Sequence, residues 1–140
     1  MKYLLLLALY GFSFCASAAG FCERLPVDPE FPAGLGGTYE VIGQDAGSGK
    51  SYSGMLAIGY GKNAYTLSRT IKGRTVHGKA WLDRCSADKI MQLTVRYETT
   101  PATEAVCFLS TDSDNYFRTS CRTWLPKHKR SGLEAWFQKP

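Results

Sequence analysis

The sequence predicts an all-β fold, an antiparallel meander of seven to eight strands closed into a small barrel or packed as a sandwich, and stabilised by disulfides. Apolar and polar residues alternate over most of the chain from Thr38 onward, the period of half-buried strands. Turn signals rich in Gly, Asp and Asn recur about every ten residues, the rhythm of sandwiches and barrels. Four cysteines remain once an export signal is set aside, an even number suited to two bridges.

The N-terminus supplies that signal. Met1 and Lys2 give a short positive start, and the uncharged run from Tyr3 to Phe14 follows. Ala16 and Ala18 then form the small-x-small pattern of a cleavage site, which predicts a signal peptide over residues 1–18, cut after Ala18 or Ala19. The run is shorter than the about 20 residues of a spanning helix, so no stable membrane insertion is expected. Phe14 and Phe21 precede Cys15 and Cys22, where lipid attachment would need a small residue. The chain is therefore expected in the periplasm or secreted.

Residues 19–36 read as an irregular segment. Pro26, Pro29 and Pro32 interrupt helix and central strand alike, and Gly34, Gly36 and Gly37 follow. Residues 37–140 read as a single β domain. Tyr39 and Val41 open it, and residues 45–49 make a loop. Tyr52, Gly54, Leu56 and Ile58 alternate in the next strand, Tyr65, Leu67, Arg69 and Ile71 in the one after. Lys72-Gly73 turns the chain into Val76, Gly78, Ala80 and Leu82. A short turn at residues 86–89 precedes Met91, Leu93, Val95 and Tyr97. Two strands around Ala105–Ser110 and Tyr116–Trp124 form a hairpin, and Leu133–Gln138 closes the series with Ala135 and Phe137 on its more apolar side. Gly54 and Gly78, inside strands, suit close backbone packing.

The Tyr- and Gly-bearing strands from Gly37-x-Tyr39-x-Val41-x-Gly43 through Tyr65-x-Leu67-x-Arg69 to Gly78-x-Ala80 resemble those of small exported bacterial β-barrel domains of unknown function. The resemblance covers residues 37–82. It implies a compact antiparallel barrel and transfers no active site.

Cys15 leaves with the signal, so Cys22, Cys85, Cys107 and Cys121 remain for an oxidising compartment. Cys107 and Cys121 flank Asp114 symmetrically, within the turn signal of residues 111–115, so a hairpin there would set them opposite each other. Cys107–Cys121 is the expected pair, and Cys22–Cys85 would then pin the N-terminal segment to the barrel or sheet. Zinc is not expected: no C-x-x-C pair exists, and only His77 and His128 could assist.

Motifs for chemistry fail on inspection. Gly47-Ser48-Gly49-Lys50-Ser51 lacks the earlier glycine and the following helix of a phosphate-binding loop. No G-x-S-x-G is present, and His77 reads as exposed or groove-lining. Asp83 and Asp88 read as loop residues, and Asp112 and Asp114 as turn residues, so no acid pair recommends itself. The chain is thus expected to be no enzyme, with no cofactor and no metal.

What remains points to binding. The mature chain carries sixteen basic and twelve acidic side chains, a net charge of +4. Trp81 and Trp136 fall on the less apolar sides of their strands, and Arg69, Arg96, Arg118 and Arg122 alternate with apolar neighbours. Exposed Trp and Arg dominate protein interfaces. Lys127, Lys129 and Arg130 form a basic loop cluster with His128. These residues are the expected partner-binding set. The expected function is an exported inhibitor or immunity protein acting on an acidic or neutral envelope enzyme, because a basic target would be repelled. No reader motif suggests nucleic acid. The alternative is a carrier of a small apolar ligand inside an eight-stranded barrel.

Overall fold

The computed structural model describes residues 21–111, 117–126 and 128–140. The expected signal peptide, residues 112–115 of the expected hairpin turn, and Lys127 lie outside the described residues. The strands are β1 (Cys22–Arg24), β2 (Gly37–Gln44), β3 (Ser51–Tyr60), β4 (Tyr65–Ile71), β5 (Arg74–Cys85), β6 (Ile90–Tyr97), β7 (Thr103–Thr111), β8 (Phe117–Trp124) and β9 (Gly132–Gln138).

From β2 to β9 each strand pairs antiparallel with the next, and β9 returns to pair with β2. The result is a closed, eight-stranded, up-and-down barrel rather than a sandwich. Closure leaves no free edge among these strands. The expected meander and strand positions are therefore present in the structure. Short loops enforce this topology. Lys72 and Gly73 both take positive φ, 50° and 77°, as a two-residue hairpin turn requires. A Cβ at Gly54 would strike the Thr70 carbonyl of β4, and one at Gly78 would stand 2.8 Å from the Arg96 carbonyl of β6. Both glycines thus permit the close strand approach of a narrow barrel.

The inward residues fill the barrel. Leu56, Ile58, Leu67, Leu82, Leu93 and Val95 pack around Tyr39, Tyr65 and Trp136, all buried. Cys107 and Cys121 face each other across β7 and β8 and are joined by a disulfide; Cys22 and Cys85 are joined across β1 and β5. Two disulfides fit an oxidising, exported environment.

The N-terminal segment is more ordered than an irregular lead-in. Its β1 pairs with the distal half of β5, and Leu25 N–H continues the ladder to the Leu82 carbonyl at 2.8 Å. Prolines exclude long strands here but leave the three residues of β1 free to pair. Leu35 then enters the barrel end and is fully buried. The Tyr39 hydroxyl donates to its carbonyl at 2.6 Å, Gly36 N–H donates to the Tyr60 hydroxyl at 2.9 Å, and Gln138 Nε2 donates to the Gly34 carbonyl. This end is plugged. Asp83 is likewise no loop residue: it lies in β5, buried, accepting from Arg24 Nε at 3.0 Å and from Thr94 Oγ1 at 2.6 Å. Arg24 covers it, which is why a charged side chain persists on a central strand.

Candidate functional site

The opposite end of the barrel is open. The β2–β3 loop, the Lys72-Gly73 turn, the β6–β7 loop and the start of the β8–β9 loop surround a cup of about 510 Å³. Its wall carries Ile71, Val76 and Leu125, and its deeper lining includes Tyr52 and Arg69.

Below the cup a polar network crosses the barrel. Alternation on β4 turns Arg69 inward with Tyr65 and Leu67, and alternation on β9 turns Glu134 inward with Trp136. Glu134 Oε1 accepts from Tyr52 at 2.6 Å and from Arg69 Nη1, and Oε2 accepts from the Trp136 indole at 2.9 Å. Three donors thus neutralise and solvate one buried carboxylate. The Arg69 guanidinium also stacks 4.0 Å above the Tyr97 ring. Burial works against the Arg69 charge, but Glu134, Tyr97 and Tyr52 outweigh it and raise its pKa. Burial, then the Glu134 charge, pushes the Tyr52 and Tyr97 phenols up, so both stay protonated. The Tyr97 hydroxyl has no hydrogen-bond partner among the described residues.

Two expected interface residues are therefore interior ones. Trp136 is 0% exposed, and Arg69 points into the barrel. The cause is the register of β9. The more apolar side of that strand, with Leu133 and Phe137, faces outward. A slip by one residue would bury Phe137 but remove both the indole that fills the barrel centre and the carboxylate that pairs Arg69. An unpaired buried guanidinium costs more than an exposed phenylalanine.

The outer wall carries a second feature. Across β7, β8, β9 and β2 the register aligns Phe108, Ser120, Ala135 and Ile42 in one row. Val106, Arg122, Leu133 and Gln44 form the next row, and Arg118 stands beside Phe137. Phe137, Trp124, Leu133, Ile42 and Phe108 are between 40% and 52% exposed. A shallow groove runs between Ile42, Ser120, Leu133 and Ala135. Outward residues of β3 and β4 on the other side include Ser51, Ser53, Thr66, Ser68 and Thr70, together with Met55 and Ala57. Phe21, Phe31, Tyr60 and Ile90 are exposed elsewhere, but the five side chains above share adjoining strands.

The remaining expected residues scatter. Arg118 and Arg122 belong to the apolar outer face. Arg96 lies on β6, 4.0 Å from Glu104. Trp81 is half-buried on β5, with the Arg24 guanidinium 5.2 Å from its ring centroid. Lys129 and Arg130 are exposed in the loop at the open end, where Arg130 Nη1 stands 2.6 Å from the Cβ position of Gly49. His77 is exposed on β5. Sequence reasoning missed Ile42, Phe108 and Leu133 outside and Glu134 inside. The signal available for Glu134 was an acid alternating in phase with a tryptophan.

No family model matches the chain, and no curated protein or solved structure matches it.

Proposed function

We propose that this is an exported, non-enzymatic binding protein that inhibits an envelope-targeting enzyme, in the manner of an immunity protein. A signal peptide over residues 1–18 and a periplasmic or secreted location belong to this reading. The observation that carries it is the contiguous apolar face of β7, β8, β9 and β2, with Arg118 and Arg122 set within it. Soluble chains seldom expose such a contiguous patch without a partner. Aromatic and Arg side chains on a rigid sheet bind with little ordering cost. The arginines and the chain's net positive charge favour a partner whose contact surface is apolar with an acidic rim. A barrel lying in a membrane would need an apolar band all round, and the Ser/Thr-rich side of β3 and β4 supports a protein partner instead.

The test compares the mature chain with its Arg122→Glu/Leu133→Glu variant as baits for envelope extract, followed by activity assays on the captured enzyme. Expected is one stoichiometric enzyme, inhibited by the wild-type chain and ignored by the variant. Equal capture by both baits, or an enzyme whose activity is unaffected, would overturn the reading.

A further inference from the structure

The cup at the open end is not part of the outer face, and its chemistry differs from the apolar interior expected of a lipophile carrier. Tyr39, Tyr65 and Trp136 fill the barrel beneath it, so a ligand would rest on the polar network and not descend into the core. Arg69, Lys50, Lys72 and Arg74 all line the cup. Asp45 is the carboxylate of its described lining, and it is already engaged. Asp45 Oδ1 accepts from Gly47 N–H at 3.0 Å, Ser48 N–H at 2.7 Å and Ser48 Oγ at 2.9 Å, closing its own loop. Glu134 below is saturated by its three donors. The charges left to meet a ligand are cationic.

The β8–β9 loop adds to this. The His128 ring lies 3.1 Å from the Cβ position of Gly47, and Arg130 reaches Gly49, so these two residues lie against the β2–β3 loop that lines the cup. Arg69 donates to Glu134 from Nη1, and its guanidinium, which carries five N–H donors, also lines the cup. Ile71, Val76 and Leu125 offer an apolar wall beside it. A volume of about 510 Å³ lies within the usual range of small-ligand pockets.

We propose that this cup binds a small amphipathic organic anion, a carboxylate or phosphate head on a short alkyl body. The head sits against Arg69, where partial burial strengthens its pull. The alkyl body lies along Ile71, Val76 and Leu125, and Lys50, Lys72 and Arg74 draw the anion in.

Isothermal titration of the mature chain with sodium octanoate and with octyl phosphate tests this, with octanol and octylammonium chloride as controls of equal chain length. One site per chain is expected for at least one of the anions, with both controls about ten-fold weaker or more. The relative affinity of the two anions identifies the head. Lys50→Gln/Arg74→Gln, two exposed positions, should weaken anion binding and flatten its salt dependence. Arg69→Met/Glu134→Gln, checked for native circular dichroism, should lose it. The outer-face variant Arg122→Glu/Leu133→Glu should bind the anion unchanged, which separates this site from the protein interface. Absence of anion binding at millimolar concentration, octanol binding as tightly as octanoate, or unaltered affinity in the rim variant would each overturn the proposal.

Discussion

Arg69 on β4 and Glu134 on β9 form an ion pair inside the barrel although 65 residues separate them in sequence. Neither strand pairs with the other, so this contact crosses the interior instead of following the ladder. Breaking it by Glu134→Ala should cost about 3–5 kcal/mol, because the Arg69 charge remains behind without its partner. Arg69→Met should cost less, since Tyr52 and Trp136 still donate to Glu134. The double replacement Arg69→Met/Glu134→Gln should be more stable than Glu134→Ala. Urea unfolding of the three variants checks the order.

Alkaline pH should unfold the barrel. Burial raises the Tyr39, Tyr52 and Tyr97 phenols above their ordinary value of 10.0, with the Tyr60 phenol adding at Tyr39 and the Glu134 charge adding at Tyr52 and Tyr97. In the unfolded chain these phenols ionise near pH 10, whereas in the barrel they stay protonated. Their contribution is thus fully present below pH 10 and declines as pH rises above it. Tyr52→Phe should reduce stability at neutral pH by removing a donor to Glu134, yet give a shallower alkaline decline. Denaturation midpoints measured on both sides of pH 10 read both effects.

The two disulfides should differ in reactivity. Cys22 is exposed on β1, whereas Cys107 and Cys121 are both buried in the barrel. A mild reductant should therefore open Cys22–Cys85 first, as alkylation and mass spectrometry would show. Replacing Cys107 and Cys121 by Ala should cost about 3 kcal/mol, the entropy of a short closed loop. Losing Cys22–Cys85, which spans 63 residues, should also loosen the Leu35 plug, raising hydrogen exchange at Leu25 and Leu35.

The tryptophans should rank by burial. Trp136→Ala should cost about 3–5 kcal/mol, as for any large side chain removed from a core. Trp81→Ala should cost about 1 kcal/mol, mainly its packing and the Arg24 contact. Denaturant titration of each variant decides; the reverse ranking would place Trp136 outside the barrel.

Most of the fold was legible because strand alternation and turn chemistry are local properties. Val41, Leu56, Leu67 and Val95 declare their inward side within a few residues, and the Cys107–Cys121 spacing declares a hairpin. β9 was misread for a physical reason. Its inward face is set by partners on other strands, Arg69 and Tyr52, and no local pattern contains them. Arg69 was misjudged with it: an arginine alternating with leucine looks like interface until the acid that solvates it is known. The outer patch was invisible because Ile42, Phe108 and Leu133 belong to separate strands, and only the register places them side by side. β1 escaped notice because three residues are too few to show a period.

The meeting of β2 with β9 has a consequence for how the molecule can come apart. Every other neighbouring pair within the barrel is a hairpin joined by a short connection, while this seam joins the first and last barrel strands. Neither covalent bridge crosses it: one ties β1 to β5 and the other β7 to β8. The seam rests on its ladder, on Lys139 N–H donating to the Thr38 carbonyl, on Gln138 donating to the Gly34 carbonyl, on the bonds of Glu134 to Arg69 and Tyr52, and on the packing of Trp136. β9 can therefore leave the barrel without either bridge being broken. Its departure would expose edges of β2 and β8 and the space that Trp136 fills, which match β9 of another copy in sequence and register. An exchange of C-terminal strands between molecules would leave both disulfides intact, and gel filtration of heated protein under non-reducing conditions would reveal it as a dimer.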